Sequence, residues 1–237
     1  MRHEARRQRR QVTHGMGKAG EIIPELAVRD VAQARRMLAD VFGFAETDGL
    51  MCLGTQRIAV TEGAGGGHGG IDHLALSVTD TDAALAALRA RGAVLDDTTP
   101  DGPREIAEFW GTGVRYVFLR GPEGARIELC ARRGAPGGAG ITGHDHIGIP
   151  CRDIAATEAF FAGLGLTRIA AVDLDRPEGR IPVRFLQAGG SVVELYAPPD
   201  HDAAARAGQG LWRGLRLLGS GQTGRRIGPD GLSVTLA

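Results

Sequence analysis

The chain has 237 residues, and its 28 basic side chains cancel 28 acidic ones, so it lacks the basic excess that nucleic-acid binding draws on. Hydrophobic residues make up 43% and charged residues 24%, which is globular usage, and no apolar run reaches the roughly 18 residues of a membrane helix. Cys52, Cys130 and Cys151 are too few for a disulfide scaffold, and the N-terminal segment lacks a signal-peptide core, so the expectation is a cytoplasmic protein.

In chain order, residues 1–20 are basic, turn-rich and without periodicity, and read as a disordered arm. The segment Ile23–Asp30 then alternates apolar and polar residues, the pattern of a half-buried strand closed by a helix N-cap. A helix over 31–42 follows, with Val31, Ala34, Met37, Leu38 and Val41 on one face and Gly43 at its end. After the Gly-rich stretch Gly63–Gly70, the pattern returns. His73–Asp80 alternates, a helix over 81–91 carries Ala84, Leu85 and Leu88, and Gly92 ends it. Val114–Leu119 and Ala125–Ala131 read as strands joined by the turn Arg120–Gly124. A second Gly-rich stretch, Gly134–Gly143, precedes a third copy. His146–Asp153 alternates, and a helix over 154–162 carries Ile154, Thr157, Phe160 and Phe161 and stops at Gly163. Pro182–Gln187 and Ser191–Tyr196 then flank the hairpin signal Gly189-Gly190.

The tail reads as a helix over 202–218, from the spacing of Leu211, Leu215 and Leu218. Gly228-Pro-Asp-Gly231 and the strand after it copy Gly121-Pro-Glu-Gly124 and its strand. The organisation is therefore an arm (1–20), units at 21–62, 71–131 and 144–197, and a truncated fourth copy at 198–237. Each unit is a strand, a helix and further strands, an α+β repeat.

Polar residues recur at fixed places in this repeat. The second unit opens with His73 and places Glu128 in its last strand, and the third opens with His146 and places Glu194 in its last strand. Any one of these, taken alone, reads as an ordinary satisfied or exposed polar group. Recurrence at both ends of two units points instead to convergence. Two imidazoles and two carboxylates suit a divalent transition metal such as Zn, Ni, Co, Mn or Fe(II). Buried carboxylates side by side also call for a cation.

The opening motifs at 72–80 and 145–153, with the closing motif Gly-Pro-Glu-Gly-x-x-Ile-Glu-Leu at 121–129, resemble those of the vicinal oxygen chelate superfamily. That group includes glyoxalase I, methylmalonyl-CoA epimerase, extradiol dioxygenases and the fosfomycin and bleomycin resistance proteins. The resemblance covers roughly residues 21–197 and implies βαβββ modules paired into a half-barrel around a metal. Its glyoxalase I-like members take ligands from the first and last strands of two modules, which selects His73, Glu128, His146 and Glu194. The outer units depart from the pattern, with Ile23 and Ala59 at the ligand positions of the first and Thr235 at the Glu position of the tail. A complete site therefore needs the second and third units to meet, within one chain or across a domain-swapped dimer.

Further residues follow from parity and position. His144, two residues before His146, is a substitute-ligand candidate, while Asp72 and Asp145 are expected on the opposite face. Ser77, Cys130 and Tyr196 are expected to line the pocket, and Arg115 and Arg184 to grip an anionic group of the substrate. The resemblance implies a small-molecule substrate, no membrane or nucleic-acid partner, and a homodimer. Two chemistries fit the ligand set. The first is an isomerase, epimerase or lyase working through a metal-stabilised enediolate, with Glu128 or Glu194 as the base. The second is an Fe(II) extradiol-type dioxygenase with two His and one carboxylate. A sequestering protein of the bleomycin-resistance kind is a third reading, which the intact quartet disfavours.

Overall fold

The aspartates that close the three alternating segments each cap a helix. Oδ1 of Asp30, Asp80 and Asp153 accepts the backbone N–H of Gln33, Ala83 and Ala156 at 2.8, 3.0 and 3.0 Å. The computed structural model describes residues 20–63, 70–134, 140–200 and 210–237. The arm expected over 1–20 lies almost wholly outside the described residues, as do 64–69 and 135–139 of the Gly-rich stretches and 201–209 of the tail.

The first module is β1 (Glu21–Val28), α1 (Val31–Met37), β2 (Ala45–Thr47), β3 (Leu50–Leu53) and β4 (Gln56–Glu62). The second is β5 (His73–Val78), α2 (Thr81–Arg89), β6 (Arg104–Ile106), β7 (Val114–Arg120) and β8 (Arg126–Arg132). The third is β9 (Ile141–Pro150), α3 (Ile154–Gly163), β10 (Thr167–Arg176), β11 (Gly179–Ala188) and β12 (Ser191–Tyr196). The tail adds β13 (Trp212–Leu218), β14 (Gly224–Ile227) and β15 (Ser233–Leu236).

Strand pairing settles which modules meet. An eight-stranded sheet, β10-β11-β12-β9-β5-β8-β7-β6, unites the second and third modules, and a seven-stranded sheet, β14-β15-β13-β1-β4-β3-β2, unites the first with the tail. Each sheet is joined at its middle by an antiparallel pair, β5 with β9 and β1 with β13. The larger sheet curls into the half-barrel of the glyoxalase-like α+β fold. One face of its strands feeds a core shared with both sheets and the helices, where Leu74, Leu76, Ile127, Leu129, Val193 and Leu195 are fully buried. Each such side chain contributes about 1.5–3 kcal/mol. A one-residue slip would turn all of them out, so this apolar set fixes which residues face the concave side.

The two Gly-Pro-acid-Gly turns brace one module against another. Glu123 and Asp230 stand at φ 52 and 55. Glu123 Oε1 accepts the N–H of Arg29 and Asp30 at 2.7 and 3.0 Å at the start of α1, and Asp230 Oδ2 accepts the N–H of Arg152 at 3.0 Å before α3.

Two expectations are corrected. The described part of the helix read over 202–218 is a strand, β13. Leu211 precedes this strand, and Leu215 and Leu218, three residues apart, point to opposite faces of it, so the spacing of the three leucines does not mark one helical face. Helix α3 runs through Gly163, and the left-handed residue that ends it is Gly165 at φ 95. Among the described residues, no helix is long and apolar enough to cross a membrane.

Because β5 and β9 pair within one chain, His73 and His146 meet without a partner subunit. Refolding a mixture of His73→Ala and His146→Ala chains should therefore restore no metal binding over either variant alone. Partial recovery of stoichiometric metal in the mixture would show that the pairing crosses chains.

Candidate metal centre

Strands β5 and β8 run parallel with Ala75 opposite Glu128, and β9 and β12 run parallel with Gly148 opposite Glu194. At the junction Ala75 faces His146 and His73 faces Gly148. This register brings His73, Glu128, His146 and Glu194 together on the concave face, all of them buried. Gly148 is needed there, because a Cβ at that position would lie 2.0 Å from His73 Cε1.

His73 Nε2 lies 3.0 Å from Glu128 Oε2 and 3.2 Å from His146 Nε2. His146 Nε2 lies 3.3 Å from Oε2 of Glu128 and 3.3 Å from Oε2 of Glu194, and the Glu194 oxygen is 3.8 Å from His73 Nε2. Two ligands about 2.1 Å from one ion, at angles of about 90–109°, stand about 3.0–3.4 Å apart, so all but the longest separation match a shared cation. His73, Glu128 and His146 form the tight trio, with ligand atoms all within 4.8 Å of one another. Glu194 closes the site from its looser side.

Each imidazole is held from behind by the residue before it. Asp72 Oδ2 lies 2.8 Å from His73 Nδ1, and Asp145 Oδ1 lies 2.8 Å from His146 Nδ1. A proton kept on Nδ1 leaves the Nε2 lone pair for the centre of the site. Asp72 also accepts from the Tyr196 hydroxyl and pairs with Arg126. Both aspartates line the pocket, which corrects their expected placement on the opposite face. Asp72 precedes the first residue of β5 and escapes its alternation. In β9, successive residues Ala75 and Leu76 of β5 face His146 and His144, so Asp145 sits in a bulge that turns it inward.

The same bulge carries His144 away. Its Nδ1 lies 2.7 Å from Gln56 Oε1 of the first module and its Nε2 accepts the Val192 N–H at 2.9 Å within the third, so both ring nitrogens are engaged. Burial, then the charge of His146, lowers its pKa to about 4.

Burial alone would also keep His73 neutral, but its bonds to Asp72 and Glu128 outweigh that and raise its pKa to about 9. His146 is raised well above the usual imidazole value, since the charges of Glu194 and Glu128 and the bond to Asp145 overcome its burial. Burial pushes Glu128 up, yet the two facing imidazoles draw it down to about 2.

A pocket of about 330 Å³ opens above these residues. Cys130 and Tyr196 line it, each two residues past a site glutamate. Ser77 does not reach it, and its carbonyl accepts from Thr142. Arg115 and Arg184 lie on the other face of their strands. Arg115 binds Asp82 at 2.6 and 2.9 Å, and Arg184 binds Asp173 at 3.1 Å. Their strand neighbours face the pocket instead. Phe118 stands opposite Glu128, Phe185 stands opposite Glu194, and their rings lie 5.0 and 6.1 Å from those of His73 and His146. The sequence reading passed over these aromatic residues, although counting register from each glutamate leads to them.

In the seven-stranded sheet the matching positions hold Ile23, Ala59, Gly214 and Thr235, because Glu25 pairs with Gly214 and Ala59 as Ala75 pairs with His146 and Glu128. This sheet offers no ligand set there and acts as scaffold.

Comparison of the fold places this arrangement. Glyoxalase I from Zea mays superposes with a TM-score of 0.66 at 13% identity, covering 92% of each chain. A dioxygenase candidate from Bacillus subtilis subsp. subtilis str. 168 superposes at 0.57 with 16% identity, covering 91% of this chain and 83% of the other. No family model and no curated protein matches the sequence. The chain thus has the glyoxalase-like fold, with a cluster of His and Glu side chains placed as metal ligands could be in the cup of one half-barrel.

At pH 7, below the raised pKa of His73, the metal-free site holds at least one proton between its imidazoles, and a bound ion must displace it. Calorimetry in buffers of different ionisation enthalpy should show proton release on Zn²⁺ binding, and apparent affinity should rise with pH up to about 9. Binding without proton release would contradict these protonation states. Gly148→Ala should push the His73 ring out of the site, abolishing stoichiometric metal retention. Full retention would show that the close approach is not required.

Proposed function

We propose that the chain is a metal-dependent enzyme acting on a small oxygenated molecule, an isomerase, epimerase or lyase that moves a proton next to a carbonyl. The observation that carries this reading is the convergence of two Asp–His pairs and two glutamates on the floor of a pocket lined by aromatic side chains. A divalent ion held there would supply a Lewis acid for the negative charge that builds on the substrate's oxygens.

The chain's residues divide the remaining work. His73, His146 and Glu128 hold the ion, and Asp72 and Asp145 keep the imidazoles in the ligating tautomer. Glu128 hydrogen-bonds both rings and, with its lowered pKa, is a poor base. Glu194 reaches one ring only, His146 at 3.3 Å, and stands 3.8 Å from His73 Nε2, so it is the more loosely held carboxylate and the one to take the proton from carbon and return it to the neighbouring position. The apolar walls keep water from quenching the charge in transit. The site is completed within one chain, so the homodimer expected from the resemblance would add stability or access rather than ligands. A cytoplasmic setting remains part of the proposal.

One observation favours a second reading. The tight trio is two imidazoles and one carboxylate, the set that non-haem Fe(II) oxygenases use. Metal analysis of protein purified with and without oxygen separates the two. Ni, Zn, Co or Mn supports the isomerase class, and oxygen-sensitive iron supports the oxygenase.

For the first reading, Glu194→Gln should retain the metal and lower kcat by about 10²-fold or more. Solvent deuterium incorporation into α-hydroxycarbonyl substrates should fall in parallel. Unchanged turnover in that variant would remove Glu194 as the base.

A further inference from the structure

The wall above the metal centre carries an inference about substrate class, resting on the reading of this pocket as a metal-dependent active site. Trp110 adopts φ 55 and ψ 19, a left-handed conformation that a bulky residue rarely takes. It is clamped on two sides. The Arg132 guanidinium lies 4.2 Å from its ring centre, and the Phe185 ring centroid lies 4.7 Å away. Backbone strain held in place by packing is spent here on fixing one indole in the pocket lining. Phe109, Tyr116, Phe118 and Phe185 extend the same wall.

The charges of the pocket point the same way. Among the described residues, its lining holds five carboxylates, Asp72, Glu105, Glu128, Asp145 and Glu194, against a single guanidinium, Arg176. Arg176 is already bound to Glu108 through contacts of 2.8 and 3.3 Å, Asp72 is matched by Arg126 and Glu105 by Arg133 at 2.8 Å, which leaves Glu128, Asp145 and Glu194 to face the site. A divalent cation on the site therefore still leaves negative charge in excess. A phosphate or carboxylate tail would enter against that field, with no unpaired cation in the lining to receive it.

We propose that the substrate is an uncharged aromatic compound bearing two adjacent oxygens, its ring packed against the aromatic wall that Trp110, Tyr116 and Phe118 form and its oxygens turned to the floor formed by His73, Glu128 and His146. The pocket volume of about 330 Å³ suits one or two rings, at the small end of ligand sites. Offset or edge-on packing of such a ring on indole and phenylalanine adds to its burial.

The test uses three metal-chelating probes on Co(II)-loaded protein: benzohydroxamic acid, acetohydroxamic acid and 4-carboxybenzohydroxamic acid. Visible absorption reports coordination. Tryptophan fluorescence reports the wall, because the other tryptophan, Trp212, is fully buried in the seven-stranded sheet. Benzohydroxamic acid should bind at least about tenfold more tightly than either other probe. Trp110→Ala should bring its advantage over acetohydroxamic acid to within about threefold while leaving the Co(II) spectrum of the free protein unchanged. Equal binding of the first two probes, or tighter binding of the carboxylated one, would overturn the proposal. Metal-free protein gives a separate reading with 2-naphthol against 2-naphthoate. A preference for naphthol that Trp110→Ala removes supports the aromatic, uncharged pocket even if Co(II) is not retained, a failure that would count against the metal centre alone. No such preference overturns the pocket inference whatever the metal does.

Discussion

Carboxylates buried around a facing pair of imidazoles set the terms for this structure. Glu128, Glu194, Asp72 and Asp145 stand within hydrogen-bond or ion-pair reach of two rings whose Nε2 atoms are 3.2 Å apart. Taking such groups out of water costs several kcal/mol for each charge, and the cost is met only by opposite charge placed with good geometry. In the metal-free chain, protons on the imidazoles and the guanidinium of Arg126 offset part of it. A divalent cation answers it more fully, and the ligand separations suit one.

That arrangement depends on pairing between modules that are neighbours in sequence. β5 and β9 meet antiparallel at the centre of the eight-stranded sheet, and each contributes one imidazole. The first module and the tail pair in the same manner but carry apolar or small residues where the ligands would be. Their sheet shares the core with the eight-stranded one, and the turn at Glu123 ties α1 to the second module as the turn at Asp230 ties the tail to α3. The duplication thus yields one sheet with the His and Glu cluster and one without it, packed on a common core.

Much of this is legible in the chain. Alternating apolar residues and capping aspartates mark the strands and helices, because burial on one face and an N-cap are local demands. The recurrence of His and Glu at fixed places marks the site. The bulges are less visible. Opposite Glu25 and Leu26, one extra residue breaks the alternation of β13 between Trp212 and Gly214. In β9 another turns Asp145 inward and His144 outward against strict alternation. A bulge depends on the partner strand, so no window of one strand reveals it. Arg115 and Arg184 mislead for a related reason. They are not equivalent in register, standing opposite Ala131 and Leu195 respectively, and both face the helices rather than the cup. The Asp-His dipeptide at 72–73 and 145–146 was in plain view, and its meaning appears once each carboxylate is seen on Nδ1 of its neighbour.

The central claim is that both imidazoles and at least one of the glutamates ligate a single ion. X-ray absorption at the edge of a stoichiometrically loaded Zn²⁺ or Co²⁺ would test it most directly. The account predicts a first shell of nitrogen and oxygen at about 2.0–2.2 Å, with outer-shell scattering from two imidazole rings and no sulfur. A shell of water oxygens without imidazole scattering, or a sulfur ligand from Cys130, would contradict it.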